Sequence, residues 1–98
     1  MVYLIRNTRV VRDWEKMEAA ARALTAFWAK QPQVKSVEVW SNIAGRQDEY
    51  QFVVKFDSLA DEEKFALKLW DDKGYEAVMI QFMGVFELQD DELKRSID

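Results

Sequence analysis

The side chains that could do chemistry are few, because this chain of 98 residues contains no histidine and no cysteine. Their absence argues against a tetrahedral zinc site and against a nucleophile activated by a neighbouring histidine. Acid–base chemistry would have to come from carboxylates, Lys55 or a tyrosine. The acidic clusters at residues 61–63, 71–72 and 90–92 are interpreted as solvated surface, so no metal site is predicted.

An asparagine on an apolar strand and a tryptophan on a helix are the candidates for a catalytic role. Asn7 shares one face of the first predicted strand with Tyr3 and Ile5, and this face is expected to lie beneath the helices. A buried amide is either satisfied by its neighbours, which is the favoured interpretation, or left to meet a ligand. Trp70 lies on the inner stripe of the second predicted helix. If a cleft exists, Asn7 and Trp70 are expected at its polar and apolar ends.

Aromatic side chains could line such a cleft and would suit a flat aromatic ligand. The predicted ligand-binding residues are Trp28, Phe65, Phe82 and Phe86. Filling the core is the more frequent role of aromatic residues at this spacing, and it is the favoured alternative. Loop residues after Asp72 could move to admit a ligand, with Gly74 as the hinge.

The elements that must position these residues follow from hydrophobic periodicity, which predicts a single domain over residues 1–98. Strands are predicted at residues 2–8, 34–41, 50–56 and 77–88, and the charged tail at 89–98 is expected to fray. The first helix is expected to be capped by Asp13 and to end before Pro32. The second is expected to begin after Ser58 and to end at Gly74 in a left-handed conformation. The predicted order is strand, helix, strand, strand, helix, strand.

Two amphipathic helices in this order would cover one face of a four-stranded antiparallel sheet. The opposite face is predicted to carry Leu4, Trp40, Val53, Met79, Met83 and Val85 among polar residues. That apolar centre is larger than a soluble monomer usually exposes. The pattern therefore predicts a homodimer whose sheets stack face to face, with Trp40, Met79 and Met83 near the centre. A one-residue error in strand register would exchange the two faces and is the alternative.

The element order, the doubly apolar last strand and the segment at residues 52–65 (FVVKFDSLADEEKF) resemble the dimeric α+β barrel superfamily. Within it, the chain is similar to the antibiotic-biosynthesis-monooxygenase-like proteins. The resemblance covers nearly the whole chain and implies a ferredoxin-like βαββαβ plait that pairs into a dimeric α+β barrel. The superfamily includes cofactor-independent quinone-forming oxygenases, haem-degrading enzymes, isomerases and proteins with no known activity, and fold does not choose among these.

The haem-degrading branch of this superfamily allows a comparison residue by residue. That branch uses an asparagine late in the first strand, a tryptophan on the second helix and a histidine shortly after it. Asn7 and Trp70 occupy matching places, but the histidine is missing from the sequence. An axial haem ligand would have to be Tyr75 or a methionine, which is uncommon. Haem degradation is therefore disfavoured, and no cofactor is predicted.

The resemblance implies a small-ligand-binding, monooxygenase-like protein. The predicted reaction is the cofactor-independent oxidation of an electron-rich aromatic such as a phenol or hydroquinone. In that chemistry the substrate anion itself reduces oxygen, so the protein need only position and deprotonate the substrate. The alternative is a non-catalytic binding or regulatory domain with the same fold.

Composition and charge limit the classes of binding partner and the cellular compartment that the sequence predicts. The net charge of −4 disfavours sequence-independent binding to nucleic acid or anionic lipid. The RNA-recognition motif shares the element order, but residues 2–7 miss its first-strand signature by one position and residues 48–50 lack the glycine of its third-strand signature. No apolar run approaches the roughly 20 residues that span a bilayer. With no cysteine and no secretory pattern at the N-terminus, the cytoplasm is the expected compartment.

Overall fold

An antiparallel sheet of four strands with helices over one face is the framework of the chain, and a computed structural model describes residues 1–97. The strands are β1 (Val2–Val10), β2 (Ser36–Ser41), β3 (Glu49–Phe56) and β4 (Phe86–Arg95), and the helices are α1 (Met17–Ala29), α2 (Leu59–Trp70) and α3 (Lys73–Met83). The strand order across the sheet is β2-β3-β1-β4. The predicted α+β class and ferredoxin-like plait are confirmed, with α2 and α3 in the place of a single second helix.

The first helix forms where the sequence predicts it, although its start differs. Leu24 and Trp28 lie one turn apart in α1, and both are fully buried in the core. The predicted cap is wrong, because Asp13 adopts a left-handed conformation with φ of 49° and makes no side-chain cap hydrogen bond within residues 1–97. A 3₁₀ turn at Trp14–Lys16 leads into α1 instead.

The second helix is capped as predicted, but it does not end as predicted. The Ser58 hydroxyl accepts a hydrogen bond from the backbone N–H of Asp61 at 3.2 Å, which satisfies a donor at the start of α2. The predicted left-handed end at Gly74 is wrong, because Asp72 starts another helix. Its carboxylate accepts a hydrogen bond from the backbone N–H of Tyr75 at 3.0 Å. Gly74 therefore lies in the first turn of α3 rather than in a hinge loop.

The predicted last strand at residues 77–88 is wrong, because most of it is helical. Residues 73–83 form α3, and residues 89–95 of the tail expected to fray belong to β4, while Asp98 lies outside the described residues. The side chains of α3 that pack on the core recur at helical spacing and are Tyr75, Val78, Met79 and Phe82. Ile80 and Met83 are exposed, so apolar side chains also lie outside the face that packs on the core. None of the helices in the described part of the chain has the length and apolar character that crossing a bilayer requires.

The sheet register exchanges the two faces of β1 relative to the prediction. Leu4 pairs with Val54, and Arg6 pairs with Phe52, across an antiparallel ladder. Val54 and Phe52 lie in the core, and directly opposed residues project to the same side. The even-numbered residues of β1 therefore face the helices. The residues that lie on the opposite face, called the outer face below, include Tyr3, Ile5 and Asn7.

The outer face is mixed in character, and its apolar centre is smaller than predicted. Its apolar members are Tyr3, Ile5, Trp40 and Val53, which follow from the pairing of β1, β2 and β3. The side chains that the sequence wrongly assigned to this face are Leu4, Met79, Met83 and Val85. Leu4 lies on the inner face, the two methionines lie on α3, and Val85 is buried in the core. Trp40 is 47% exposed in the single chain.

Phenylalanine rings fill the centre of the core between the sheet and α3. Phe52 contacts Phe82 and Phe86 edge to face, with ring centroids 5.3 and 5.6 Å apart. Phe82 and Phe86 stack on one another at 4.4 Å. Such pairs add to the hydrophobic gain of burying each ring. The stacking fixes the rotation of α3 against the end of the sheet.

We expect Phe82→Ala to lower the free energy of unfolding by about 3–5 kcal/mol, because it removes a fully buried ring. Ile80→Ala should change it by less than about 0.5 kcal/mol, because the Ile80 side chain is 69% exposed. Denaturant titration of both variants measures the two losses. Residues 80 and 82 would share a face in a strand, so equal large losses would contradict α3.

Candidate functional site

An open cavity of about 1090 Å³ lies between the inner face of the sheet and the helices α2 and α3. The apolar side chains of its walls include Leu4, Trp28, Phe65, Leu69, Trp70, Met79 and Ile80. The polar residues that line it include Arg6, Glu62, Tyr75 and Asp91. A concave, aromatic-rich site with a few polar groups is typical of small-ligand binding.

Arg6 presents a partly buried positive charge to the cavity. Its Nε and Nη2 atoms donate to the two carboxylate oxygens of Asp91, each at 3.0 Å. Its Nη1 atom donates to the Tyr75 hydroxyl at 3.1 Å, and the guanidinium lies 5.1 Å from the centroid of the Trp28 ring. Burial alone would lower the pKa of Arg6, but the hydrogen bonds to Asp91 and Tyr75 outweigh it, and the pKa is raised. Arg6 therefore stays charged throughout the range in which proteins are folded.

The hydroxyl of Tyr75 is placed to bind a ligand oxygen together with Arg6. Because the hydroxyl oxygen accepts the hydrogen bond from Arg6, its own hydrogen is free to donate elsewhere. Arg6 has five N–H hydrogens, and the contacts with Asp91, Tyr75 and Met79 engage four, which leaves one on Nη2. We call Arg6 and Tyr75 the donor pair. Its natural partner is a carbonyl, nitro or phenolate oxygen.

Two further polar atoms at the cavity are buried without a partner. The indole Nε1 of Trp28 and the Oε2 of Glu62 find no hydrogen-bond partner among residues 1–97. Burial raises the pKa of Glu62, and the neighbouring charge of Glu63 raises it further. An unpaired buried polar group costs about 1–3 kcal/mol. Three further atoms of this kind in residues 1–97, Arg9 Nε, Gln31 Oε1 and Gln33 Oε1, belong to residues that do not line the cavity.

The charged groups around the cavity are mostly acidic. Five carboxylates line it, those of Glu62, Asp71, Asp72, Glu76 and Asp91, against the two cations Arg6 and Lys73. This excess of negative charge disfavours the entry of a polyanionic ligand. Among residues 1–97, no group of three or more acidic side chains is arranged to hold a metal ion.

The predicted placement of Asn7 at the polar end of the cleft is wrong. Its side chain lies on the outer face, where Nδ2 donates to Asp90 Oδ1 and to Glu92 Oε1, each at 2.7 Å. Its Oδ1 accepts a hydrogen bond from Gln51 Nε2 at 2.8 Å. The reason is the exchanged register of β1, which brings Arg6 to the inner face in place of Asn7. The amide is therefore satisfied within the sheet.

The predicted aromatic residues divide between the cavity and the core. Trp28, Phe65 and Trp70 line the cavity, and Trp70 is 87% exposed at its rim. Phe82 and Phe86 are wrongly placed in the cleft by the sequence prediction, because they stack on one another in the core. The sequence prediction did not include Arg6, Tyr75 or Glu62 among the site residues. Arg6 shares the inner face of β1 with Leu4 and Thr8. The correct register of β1 would therefore have identified it as a charged residue on an inward face.

Comparison with solved structures supports the fold. SnoaB, a cofactor-independent oxygenase from Streptomyces nogalater, superposes with a TM-score of 0.80 and 11% identity, over 99% of this chain and 93% of its own. A Chloroflexus aurantiacus protein named as an antibiotic biosynthesis monooxygenase has a TM-score of 0.70 and 15% identity, over 100% and 95%. Protein Atu4242 of Agrobacterium tumefaciens has a TM-score of 0.75 and 14% identity, over 99% and 94%.

No protein-family model matches the sequence, and no curated protein matches it. The comparison with known proteins therefore rests on the solved structures. At identities of 11–15% the likeness shows the fold. The predicted ferredoxin-like fold is confirmed by this likeness, and the activity of this chain does not follow from it.

We expect Glu62→Gln to raise the melting temperature at neutral pH. The pKa of Glu62 is raised above its ordinary value of 4.5 in the folded chain, so the folded state binds the proton more tightly than the unfolded state. Stability contributed by this group is lost as pH rises from 4.5 through the raised pKa, and the neutral glutamine avoids the loss. Calorimetry at several pH values measures the difference, which should vanish below pH 4.5, where both side chains are neutral.

Glu63→Gln is the matched control, because Glu63 is exposed on the same helix and does not line the cavity. It should raise the melting temperature less than Glu62→Gln does. A melting temperature that falls in Glu62→Gln at neutral pH would contradict the unpaired state of its Oε2 atom.

Proposed function

We propose that this chain binds a small, flat aromatic molecule bearing oxygen in the cavity between the sheet, α2 and α3, and oxidises it without a cofactor. The observation that carries the proposal is the donor pair, a buried guanidinium and a tyrosine hydroxyl at the floor of an aromatic cavity. The ligand class is an electron-rich aromatic such as a phenol or hydroquinone.

The walls of the cavity favour a flat apolar ring. Phe65 and Leu69 from α2 and Met79 from α3 border the space, and Trp70 stands at its rim. Aromatic and methionine side chains contact an aromatic ring favourably on its face or edge. A ring held here would have one edge towards the donor pair.

The donor pair favours an oxygen that gains negative charge. Arg6 remains charged, and one of its N–H hydrogens and the hydroxyl hydrogen of Tyr75 are free to reach a ligand oxygen. Fixed donors whose positions are set by the fold stabilise a developing anion without the reorganisation that water requires. The anion of a phenol or hydroquinone gives electrons to oxygen far more readily than its neutral form.

The electron balance needs no group beyond the substrate and oxygen. A hydroquinone gives up two electrons and two protons to become a quinone, and molecular oxygen accepts both to become hydrogen peroxide. SnoaB, with which this chain shares its fold, is named as a cofactor-independent oxygenase. That likeness supports a reaction with molecular oxygen that needs no cofactor, and the residues of this chain supply the specific argument.

A non-catalytic binding or regulatory role for the same cavity is the alternative. It requires the same ligand contacts but no consumption of oxygen. An oxygen electrode separates the two roles with a panel of phenols, hydroquinones and anthrones. Oxygen uptake above the protein-free rate supports the oxidase, whereas binding of a panel member without uptake supports the alternative.

Tyr75→Phe should weaken binding of the active phenol or hydroquinone by about two- to tenfold, because one neutral hydrogen bond contributes about 0.5–1.5 kcal/mol. The phenylalanine keeps the ring contact with Phe27, whose centroid lies 5.7 Å from that of Tyr75. Titration calorimetry of the variant and the parent measures the change in the dissociation constant.

Tyr3→Phe removes the same hydroxyl from the outer face and should leave ligand binding unchanged, since Tyr3 does not line the cavity. Equal affinities of the parent and Tyr75→Phe would contradict the donor pair. Failure of every panel member to bind would contradict the proposed function as a whole.

We also propose that the chain forms a homodimer through the outer face of its sheet. Tyr3, Ile5 and Trp40 give this face an apolar centre, and polar side chains such as Lys55 and Glu38 surround it. Stacking of two such faces would bury these side chains, each contributing roughly 1.5–3 kcal/mol when fully covered.

Trp40→Asp should convert the dimer to a monomer, because it replaces an exposed apolar ring of the stacked faces with a charge. Light scattering at micromolar concentration should give twice 11.6 kDa for the parent and 11.6 kDa for the variant. Trp14→Asp is the control, since Trp14 is similarly exposed, at 51%, but lies in the turn before α1. A parent mass of 11.6 kDa would rule out the dimer.

A further inference from the structure

The carboxylate of Glu62 differs from every other acidic group at the cavity. Asp91 is held by two hydrogen bonds from Arg6, and Asp72 caps the first turn of α3. Asp71 and Glu76 are exposed to water. The Oε2 atom of Glu62 is the only carboxylate oxygen in residues 1–97 that is buried without a hydrogen-bond partner. It is therefore an acceptor that the fold itself does not use.

A second unused polar group lines the same cavity. The Nε1 atom of Trp28 is buried without a partner in the described chain, and the whole side chain is 0% exposed. An unpaired donor and an unpaired acceptor at one cavity are independent observations, because they lie on different helices, α1 and α2. Each atom exposes less than 1 Å² to water, so a ligand completes their hydrogen bonds only when the side chains turn towards the cavity.

The charge of the cavity determines whether a phenolic ligand enters as the neutral phenol or as the phenolate. Apart from Glu62, the charged groups that line it are Arg6, Asp71, Asp72, Lys73, Glu76 and Asp91. Four of these six are acidic, and Arg6 is already paired with Asp91. A phenolate in solution would be repelled, so the neutral phenol is the form that enters. Its proton must then be removed inside the cavity.

We propose that Glu62 is the base that removes this proton, from a hydroxyl on an aromatic ring whose opposite end carries a conjugated oxygen bound by the donor pair. In the step, the phenolic O–H bond breaks and the O–H bond to Glu62 Oε2 forms. The electron pair stays on the ligand. Where the opposite oxygen belongs to a carbonyl or nitro group, the pair delocalises through the ring to that oxygen beside Arg6 and Tyr75; in a hydroquinone it stays on the deprotonated oxygen and the ring carbons, and the opposite hydroxyl oxygen accepts from the donor pair. The inference rests on the proposed function and identifies its base and its substrate class.

The transfer moves negative charge from an unfavourable place to a favourable one. On Glu62 the charge sits on a partly desolvated oxygen without a donor, and burial raises the pKa of this carboxyl group. On the ligand it lies beside a guanidinium and a hydroxyl hydrogen. A carboxylate destabilised in this way is a stronger base than one in water.

The test uses 4-nitrophenol, in which a hydroxyl and a conjugated nitro group stand at opposite ends of the ring. Quenching of tryptophan fluorescence reports binding, and the visible absorbance band reports the phenolate. At a pH about one unit below the pKa of the free probe, roughly a tenth of the free probe is ionised. We expect most of the probe bound to the parent chain to be phenolate, and bound probe in Glu62→Gln to be mostly neutral.

Glu62→Gln should fold, because the replaced oxygen makes no contact that the glutamine would lose. Glu63→Gln removes the same charge one residue away, outside the cavity, and should match the parent chain. Probe that binds the parent but stays neutral, or that ionises equally in Glu62→Gln, would overturn the role of Glu62 and leave aromatic binding intact. Absence of probe binding to the parent would overturn this inference. Absence of binding by every phenol, hydroquinone and anthrone of the oxygen-electrode panel would overturn the proposed function too.

Discussion

A buried guanidinium is the constraint on which the architecture of this chain depends. Arg6 lies on the inner face of β1, where an unpaired charge would cost several kcal/mol. Its counter-charge, Asp91, comes from β4, and its other contacts come from Tyr75 on α3 and Trp28 on α1. One side chain therefore joins four elements, and β4 must pair with β1 in the register that brings Asp91 opposite Arg6.

A β-bulge in β4 provides that register. Gln89 is the extra residue, since its neighbours on β4 pair with consecutive residues of β1. Without it, Asp90 would lie opposite Arg6, and Asp91 would project from the outer face. With it, Asp91 reaches Arg6 on the inner face and Asp90 reaches Asn7 on the outer one. The acidic run interpreted from the sequence as solvated surface thus organises hydrogen bonds on both faces of the sheet.

The fold could be predicted from sequence where one face of an element is clearly apolar, as in α1 and β3. β1 lacks that contrast, because Leu4 on one face and Ile5 on the other are equally apolar, so periodicity does not fix its faces. The hydrogen bonds between Arg6 and Asp91 do fix the two faces of β1, but these residues are 85 positions apart in the sequence. The segment forming α3 has apolar side chains outside its core face as well as on it, so it was also compatible with a strand. Six of the ten residues of β4 are charged, so it lacks the apolar face that predicts a strand.

The aromatic wall of the candidate site was predictable, but its polar groups were not, because they depend on that register and on burial. Trp28 was predicted for its ring, yet the unpaired N–H distinguishes it from a core residue. A phenylalanine there could keep ring contacts with Phe52 and Phe65 and would leave no donor unsatisfied. The Oε2 atom of Glu62 carries a comparable cost, about 1–3 kcal/mol for each unpaired group. Local rules of stability are broken mainly where function requires it. Trp28 and Glu62 both line the cavity that is proposed as the binding site, which agrees with that proposal.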